Sequence, residues 1–320
     1  MTAENPSPSR KPIQKPRVLL IINPFASAVS AKTRAAVERG LVSQDLAVVE
    51  TESRDHATEL ARKAAADGMD AVVVLSGDGA LNEAANGLAG SDTALGALPG
   101  GSTNVFARTL GMSRHVDEAA EQFVEALKRG AVRSMSLGSA NGRYFLVNAG
   151  IGFDAAVVHQ AERHPRMKKM LGQGVFVYAA NTTWLRYYSH RHPHFKIELP
   201  GGETVEDGYF SICLNSNPYT FLGPRPLNVA PGMSGEKGLS LVTLQSLNLR
   251  SLLGVTRRTL GSGESVAQHK RVQRHDALSG FTVVGNGPVP YQVDGDYLGE
   301  AERIVITHEP HQLQVIDPRA

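Results

Sequence analysis

The stretch DAVVVLSGDGALNEAANGL, Asp70 to Leu88, decides the fold. Five apolar residues, Ala71 to Leu75, run into Ser76-Gly77-Asp78-Gly79, and a helical pattern begins at once. A short continuous apolar run reads as a strand buried on both faces, the usual state of a strand in a parallel sheet. Neighbouring segments repeat this alternation. RVLLIINP (17–24) is a strand closed by Pro24, LAVVET (46–51) a second, DAVVVL the third and TALGALP (93–99) the fourth. Helices are predicted over AKTRAAVERGL (31–41), from Asp55 as N-cap to Gly68 as stop, near 103–111, and at 116–129. Strands alternating with helices make a doubly wound α/β domain.

The rhythm changes near residue 132. VRSMSLGSANGRYFLVNAG places Asn141-Gly142 between two strand-like runs, a hairpin signal. From about residue 195 the chain is mostly short strands: FKIEL, GYFSICL, LSLVTL, RVQRHDAL, FTVVG, YQVDG, RIVITH and LQVID, with a helix predicted at 248–260. The expected plan is a disordered tail at 1–16, an α/β nucleotide-binding domain at 17–135 and a mainly antiparallel β-sandwich at 136–320. The last segment is free to pack back on the first domain.

Composition sets limits. The 320 residues are 42% hydrophobic and 20% charged, with a net charge of +2, so the molecule is no polycation built for nucleic acid. No apolar run approaches the ~20 residues of a membrane-spanning helix. The lone Cys213 excludes an internal disulfide. With no apolar signal-like stretch in the first residues, the cytoplasm is the expected compartment.

In an open α/β sheet, ligands bind beyond the carboxyl ends of the strands. Ser76–Gly79 sits at such an end and opens a helix. Glycines allow close approach of the backbone, and the free N–H groups of a helix start attract phosphate. A tight turn with Asp78 merely capping the helix is the alternative, and on this turn alone both readings stand. No G-x-G-x-x-G fingerprint is present, and in GALPGGST (96–103) Ser102 stands where a Walker A loop requires lysine. Asp78 beside a phosphate calls for a Mg²⁺ between them, which suits a nucleotide triphosphate. LPGGSTNVFARTLG (98–111) is a second turn of the same kind, with Ser102, Thr103 and Asn104 as donors. The two turns would form one anion cradle.

Here a family resemblance emerges. INPFAS (22–27), SGDGALNEAANGL (76–88), LPGGSTNVFARTLG (98–111) and VNAGIGFDAAV (147–157) resemble, in order, the motif blocks of the diacylglycerol kinase catalytic-domain family. These lipid kinases also include sphingosine kinases and bacterial relatives. The resemblance continues through LNVAPG (227–232) to VDGDYLG (293–299). It implies an ATP-dependent kinase with the nucleotide between an α/β domain and a β-sandwich. It further implies that Ser76, Gly77, Asp78, Gly79, Ala80, Leu81, Asn82, Gly101, Ser102, Thr103 and Asn104 border the phosphates, with Asn23 and Thr51 nearby. Asp296 matches the catalytic Glu of the family's D-G-E motif, and Asp294 would orient it or meet Mg²⁺. Ala80, Ser76, Val105 and Asp296 depart from the family's residues. So does Glu236-Lys237-Gly238, where relatives carry an acidic D-D-G metal segment. Lys237 would repel a divalent ion, and no structural Mg²⁺ is expected there.

The implied cofactors are ATP and Mg²⁺, and the implied acceptor is a lipid alcohol, diacylglycerol first, giving phosphatidic acid. A peripheral position on the inner face of the membrane follows from that acceptor. ERHPRMKKMLGQGVFVYAANTTWLRYYSHRHPHFK (162–196) mixes cations with the only tryptophan, Trp184. Arg166, Lys168 and Lys169 are the membrane candidates, and Trp184 and Tyr187 read rather as helix packing. His190, His192 and His194 read as a solvated loop. No nucleic-acid partner is expected, and a homodimer is compatible with the reading. Two rivals stay open: a soluble-metabolite kinase of the NAD kinase type, and a nucleotide- or lipid-binding protein descended from a kinase.

Overall fold

The computed structural model describes residues 15–163, 179–180, 182–184, 188, 192–248, 266 and 269–320. Nearly all of the expected tail, the helix expected at 248–260 (its first residue apart), and Arg166, Lys168, Lys169, Tyr187 and His190 lie outside them. The chain divides into two units. Residues up to Ser136 and His311–Ala320 form the first, and Leu137–Pro310 the second.

The first unit alternates strands and helices: β1 (Arg17–Ile22), α1 (Ala31–Gly40), β2 (Asp45–Glu50), α2 (His56–Ala66), β3 (Ala71–Ser76), α3 (Asp78–Leu88), β4 (Ala94–Pro99), α4 (Val105–Thr109) and α5 (Val116–Arg129). The sheet order is β2-β1-β3-β4, all parallel. Every residue of β3 and β4 is buried, as the apolar runs require. Helix α1 packs on α5, and α2 on α3. Gln314 and Val315, near the chain's end, add a parallel neighbour to β4 at Ala94 and Leu95. Asp317 then anchors that end, because its carboxylate accepts the Arg133 guanidinium at 2.8 Å and that of Arg319 at 2.9 Å. Two local expectations change. Asp55 occupies the N-cap of α2 but with φ +62° and no side-chain capping bond. The helix expected at 103–111 shrinks to five residues, Val105–Thr109.

The second unit is mainly antiparallel. Its elements are β5 (Val132–Ala140, entering from the first unit), β6 (Arg143–Phe145), β7 (Asn148–Gly152), α6 (Phe153–Glu162), β8 (Phe195–Glu198), β9 (Thr204–Gly208), β10 (Phe210–Leu214), β11 (Thr220–Leu222), β12 (Arg225–Leu227), β13 (Leu239–Leu244), β14 (Val272–Leu278), β15 (Gly280–Val293) and β16 (Asp296–Ile316). The main sheet runs β14-β13-β10-β7-β15-β16, with β8 on β15 and β9 on β8. Asn141 and Gly142, both at positive φ, turn β5 into β6 as the sequence predicts. Alternation along β10 and β13 feeds two cores. Cys213, Leu239 and Leu241 join Phe145, Phe195 and Phe281, while Ile212, Leu214, Val242 and Leu244 join Phe153 of α6. Burial on both faces is why LSLVTL is an unbroken buried run. The four C-terminal strands read from the sequence are in fact two. FTVVG and YQVDG lie on one strand, β15, and RIVITH and LQVID on β16. Among the described residues no helix is long and apolar enough to cross a membrane.

Candidate active site

Asn23, Thr51, Gly77 and Gly100 follow the carboxyl ends of β1, β2, β3 and β4, so four loops meet along one edge of the parallel sheet. The two glycine turns touch there. Ser76 pairs with Pro99 across β3 and β4, and the Gly100 N–H donates to the Ser76 carbonyl at 2.8 Å. A Cβ on Gly101 would lie 2.6 Å from the Gly77 Cα, so the two backbones meet where no side chain fits. Asn104 closes the second turn from within: its Oδ1 accepts the Gly101 N–H at 2.8 Å and its Nδ2 donates to the Gly101 carbonyl at 2.9 Å.

Asp78 stands in the first turn of α3, yet it caps a different helix. Its Oδ2 accepts the Val105 N–H at 3.0 Å and its Oδ1 the Phe106 N–H at 3.1 Å, both at the start of α4. The acid thus ties one glycine turn to the other. Burial raises its carboxyl above the ordinary range, against the pull of those two N–H groups and of Arg108. Arg108 is itself lowered, by burial first and then by the guanidinium of Arg114. Sequence reasoning passed over Arg108, although it lies within the quoted FARTLG block. It brings positive charge to the turns.

The remaining candidates sort by burial. The side chains of Ser76, Ala80, Leu81 and Asn82 are buried and face the interior, so none of them is presented to a ligand. Gly79 and Ser102 are exposed, and nothing lies within 4 Å of a Cβ built on Gly79. Gly77 provides α3 with no side-chain cap. Asn23 Oδ1 accepts the Phe25 N–H at 3.0 Å, and Thr51 is buried with its N–H on the Ile22 carbonyl at 2.9 Å.

The second unit carries Asp294-Gly295-Asp296. Asp294 (φ +49°) and Gly295 (φ +85°) form a two-residue turn between Val293 and Asp296, which are paired. Asp294 holds the turn in place. Its carboxylate accepts three backbone N–H groups, from Leu146 at 2.7 Å, Val147 at 2.8 Å and Asn148 at 3.0 Å. Both oxygens are engaged in building the hairpin, so Asp294 anchors the turn that leads to Asp296. Asp296 is half-buried at the start of β16. Next to it, the Tyr297 ring stacks on His159 at 4.2 Å.

Behind this hairpin lies a buried polar group that sequence reasoning did not single out, although VNAGIGFDAAV and YQVDG contain most of it. Asp154 Oδ1 accepts the Tyr219 hydroxyl at 2.6 Å, and Oδ2 accepts Gln292 Nε2 at 2.8 Å. Elsewhere, Glu236 and Lys237 are exposed on a short 3₁₀ turn, and among the described residues no three His, Cys, Asp or Glu gather to hold a metal. Trp184 packs against the second core and donates to the Leu247 carbonyl at 2.7 Å, as its packing role requires. His194 is not solvated as expected. It is half-buried and stacks on Tyr188 at 4.1 Å.

Two adjoining glycine turns at a parallel-sheet edge are what the sequence implies, though not their tie through Asp78, and direct comparison matches the same stretch of chain. Residues 17–140 match the diacylglycerol kinase catalytic domain. The Diacylglycerol kinase of Bacillus subtilis (strain 168) is 38% identical over 120 residues, covering 37% of this chain and 38% of that protein. The matched stretch thus spans under two fifths of that relative. The crystal structure of a diacylglycerol kinase from Bacillus anthracis str. Sterne superposes with a TM-score of 0.70 at 20% identity, covering 96% of this chain and 98% of that one. At that identity the likeness speaks for the fold alone, and it covers residues of both units.

Proposed function

We propose that this protein is an ATP-dependent lipid kinase that phosphorylates the hydroxyl of a lipid alcohol, diacylglycerol first, to give phosphatidic acid. The observation that carries the reading is the pair of glycine turns that Asp78 locks together. Their backbone is pre-organised without a ligand, and phosphoryl transfer needs positioning and charge neutralisation above all. N–H groups of the two turns would hold the phosphates, aided by the field of Arg108.

Mg²⁺ is usually bound by one or two carboxylates together with substrate phosphates rather than by a protein cage. The donor set fits that arrangement. Each oxygen of Asp78 takes one N–H and retains a further lone pair, and no carboxylate cluster is needed. Asp78 would hold the ion with the phosphates, and the ion would supply charge neutralisation. Asp296 would accept the proton of the acceptor hydroxyl as its oxygen bonds to the γ-phosphorus and the bond to the β-γ bridging oxygen breaks, leaving ADP. A lipid acceptor implies work at a membrane surface.

Labelled ATP incubated with a mixed lipid panel, and separately with NAD, tests the reading. Label in phosphatidic acid supports it, and label in NAD alone would move the protein to the soluble-metabolite kinases. Asp296→Asn preserves size while removing the proton acceptor, and should lower turnover about 10²–10⁴-fold.

A further inference from the structure

Gln292 lies on β15 directly opposite Gly150 on β7. It is 1% exposed, and its amide makes three hydrogen bonds. Nε2 donates to Asp154 Oδ2 at 2.8 Å and to Asn148 Oδ1 at 3.0 Å, while Oε1 accepts the Gly295 N–H at 2.7 Å. The amide has only one workable orientation. Gly295 presents a donor and Asp154 an acceptor, so a flipped amide would set donor against donor and acceptor against acceptor. Gly150 makes the space, since a Cβ there would fall 1.7 Å from Asp154 Oδ2 and 2.5 Å from Gln292 Nε2. Tyr219 completes the chain through Asp154, and its carbonyl accepts Asn148 Nδ2 at 3.3 Å.

This arrangement is a costly way to fill a core. Asp154 is 7% exposed and its two partners, Tyr219 and Gln292, are neutral. A carboxylate so placed is poorly compensated, and an apolar residue would pack there at less cost. What a satisfied polar network supplies instead is a single orientation. Here the group being oriented is the peptide between Asp294 and Gly295. Asp294 is held at its carboxylate by residues 146–148, and Gly295 at its nitrogen by Gln292. The next residue is Asp296.

We propose that Asp154 and Gln292 are positioning residues for Asp296: together they fix the Gly295 peptide and so aim the Asp296 carboxylate. The inference rests on the role of Asp296 in the kinase reading. Neither residue need touch a substrate.

The test uses the full chain, ATP with Mg²⁺, and diacylglycerol in detergent micelles. Four variants are compared: Gln292→Ala, Gln292→Glu, Asp154→Asn, and the reciprocal double variant Asp154→Asn with Gln292→Glu. Labelling with ¹³C-carbonyl aspartate and ¹⁵N-glycine restricts the amide signals to Asp-Gly pairs, so hydrogen exchange at Gly295 can be followed directly. Each single variant should speed that exchange and lower kcat about 10²-fold, the scale expected for an ångström of misplacement, with KM for ATP unchanged. The double variant remakes the chain with donor and acceptor exchanged. Tyr219 donates to the oxygen of the introduced amide, the nitrogen of that amide donates to the introduced carboxylate, and the carboxylate accepts the Gly295 N–H. At Asn148 an acceptor then faces an acceptor, which its amide relieves by turning Nδ2 toward the carboxylate and giving up the long bond to the Tyr219 carbonyl. The double variant should recover both exchange protection and kcat. Because it moves the charge and keeps both volume and net charge, it decides the matter even if Gln292→Ala fails to fold.

Three results would overturn the inference while the unaltered protein stays active. They are faster exchange with unchanged kcat, lower kcat with unchanged exchange, and a double variant that regains protection but not turnover. The last would mean that Asp154 meets the acceptor itself. Absence of lipid phosphorylation by the unaltered protein would sink the kinase reading and the positioning role together.

Discussion

Asp78 accepts the backbone N–H of Phe106 at 3.1 Å, 28 residues further along the chain. With the Val105 N–H on its other oxygen, it makes the start of α4 a dependent of the first turn of α3. Asp78→Asn keeps one of these bonds and sets an amide against the other N–H. A part-buried donor left unmade costs about 1–3 kcal/mol. The urea midpoint should fall accordingly, and affinity for ATP should fall with it. A variant that unfolds at the wild-type midpoint would show that the two turns hold without Asp78.

Glycines in the turns should separate by role. Gly101→Ala forces a Cβ to 2.6 Å from backbone that cannot swing away, and overpacking of that kind costs about 1–3 kcal/mol. Gly79→Ala meets nothing within 4 Å and lies in a helix, where alanine is favoured by about 0.5–1 kcal/mol. If the backbone at Gly79 cradles phosphate, Gly79→Ala should gain thermal stability yet lose ATP affinity. Calorimetric titration with ATP on both variants distinguishes the two effects.

Asp294→Asn removes the charge from an acceptor of three N–H groups and turns an amide toward at least one of them. Loss of charge-assisted bonds in a part-buried hairpin should cost about 2–4 kcal/mol, read from urea unfolding. Asp296→Asn, by contrast, should reduce turnover with little change in the midpoint. Equal stability losses in the two variants would contradict the division of labour described for this hairpin.

Asp317 gives a pH dependence with a definite sign. Burial works against its charge, but hydrogen bonds from Arg319 and Arg133 outweigh burial and hold its carboxyl down to about 2. A folded value below the unfolded one adds stability that is fully present above pH ~4 and is lost as pH falls through about 2. The shift corresponds to about 2 kcal/mol at neutral pH, allowing for the part-exposed arginines. Asp317→Asn should therefore be less stable than the wild type at pH 7, with the gap closing toward pH 2. Asp78 and Asp154, both raised by burial, act in the opposite sense: their ionisation weighs on the fold as pH rises. Urea midpoints across pH 2–7 for wild type and Asp317→Asn check this.

What the sequence by itself determined was local. The apolar runs of β1, β3 and β4, the stops at Gly77 and Gly100, and the Asn141-Gly142 hairpin depend on residues within a few positions of one another. Burial on both faces, close backbone approach and positive φ are written in adjacent letters. Helix α6 was not legible, because buried Asp154 and Gln160 interrupt its apolar face. The length of β15 was hidden by Gly285-Asn286-Gly287-Pro288, which reads as a turn. The strand bridges it through a register irregularity between Val284 and Val289, pairing with β8 on one side and β7 on the other.

Only the tertiary structure decided where the buried acids point. In the sequence Asp78 reads as a cap for its own helix or as a partner of Mg²⁺, and Asp294 as the residue that orients Asp296 or meets Mg²⁺. Their actual clients, Val105 and Phe106 for one and Leu146 to Asn148 for the other, are brought near by strand pairing. The same holds for Gln292, whose environment is set by lying opposite Gly150. A hydrogen bond is satisfied by whichever group stands within about 3 Å. For a residue on a sheet that group is chosen by register with a strand that can lie far away in the sequence, and short-range pattern carries no record of that register.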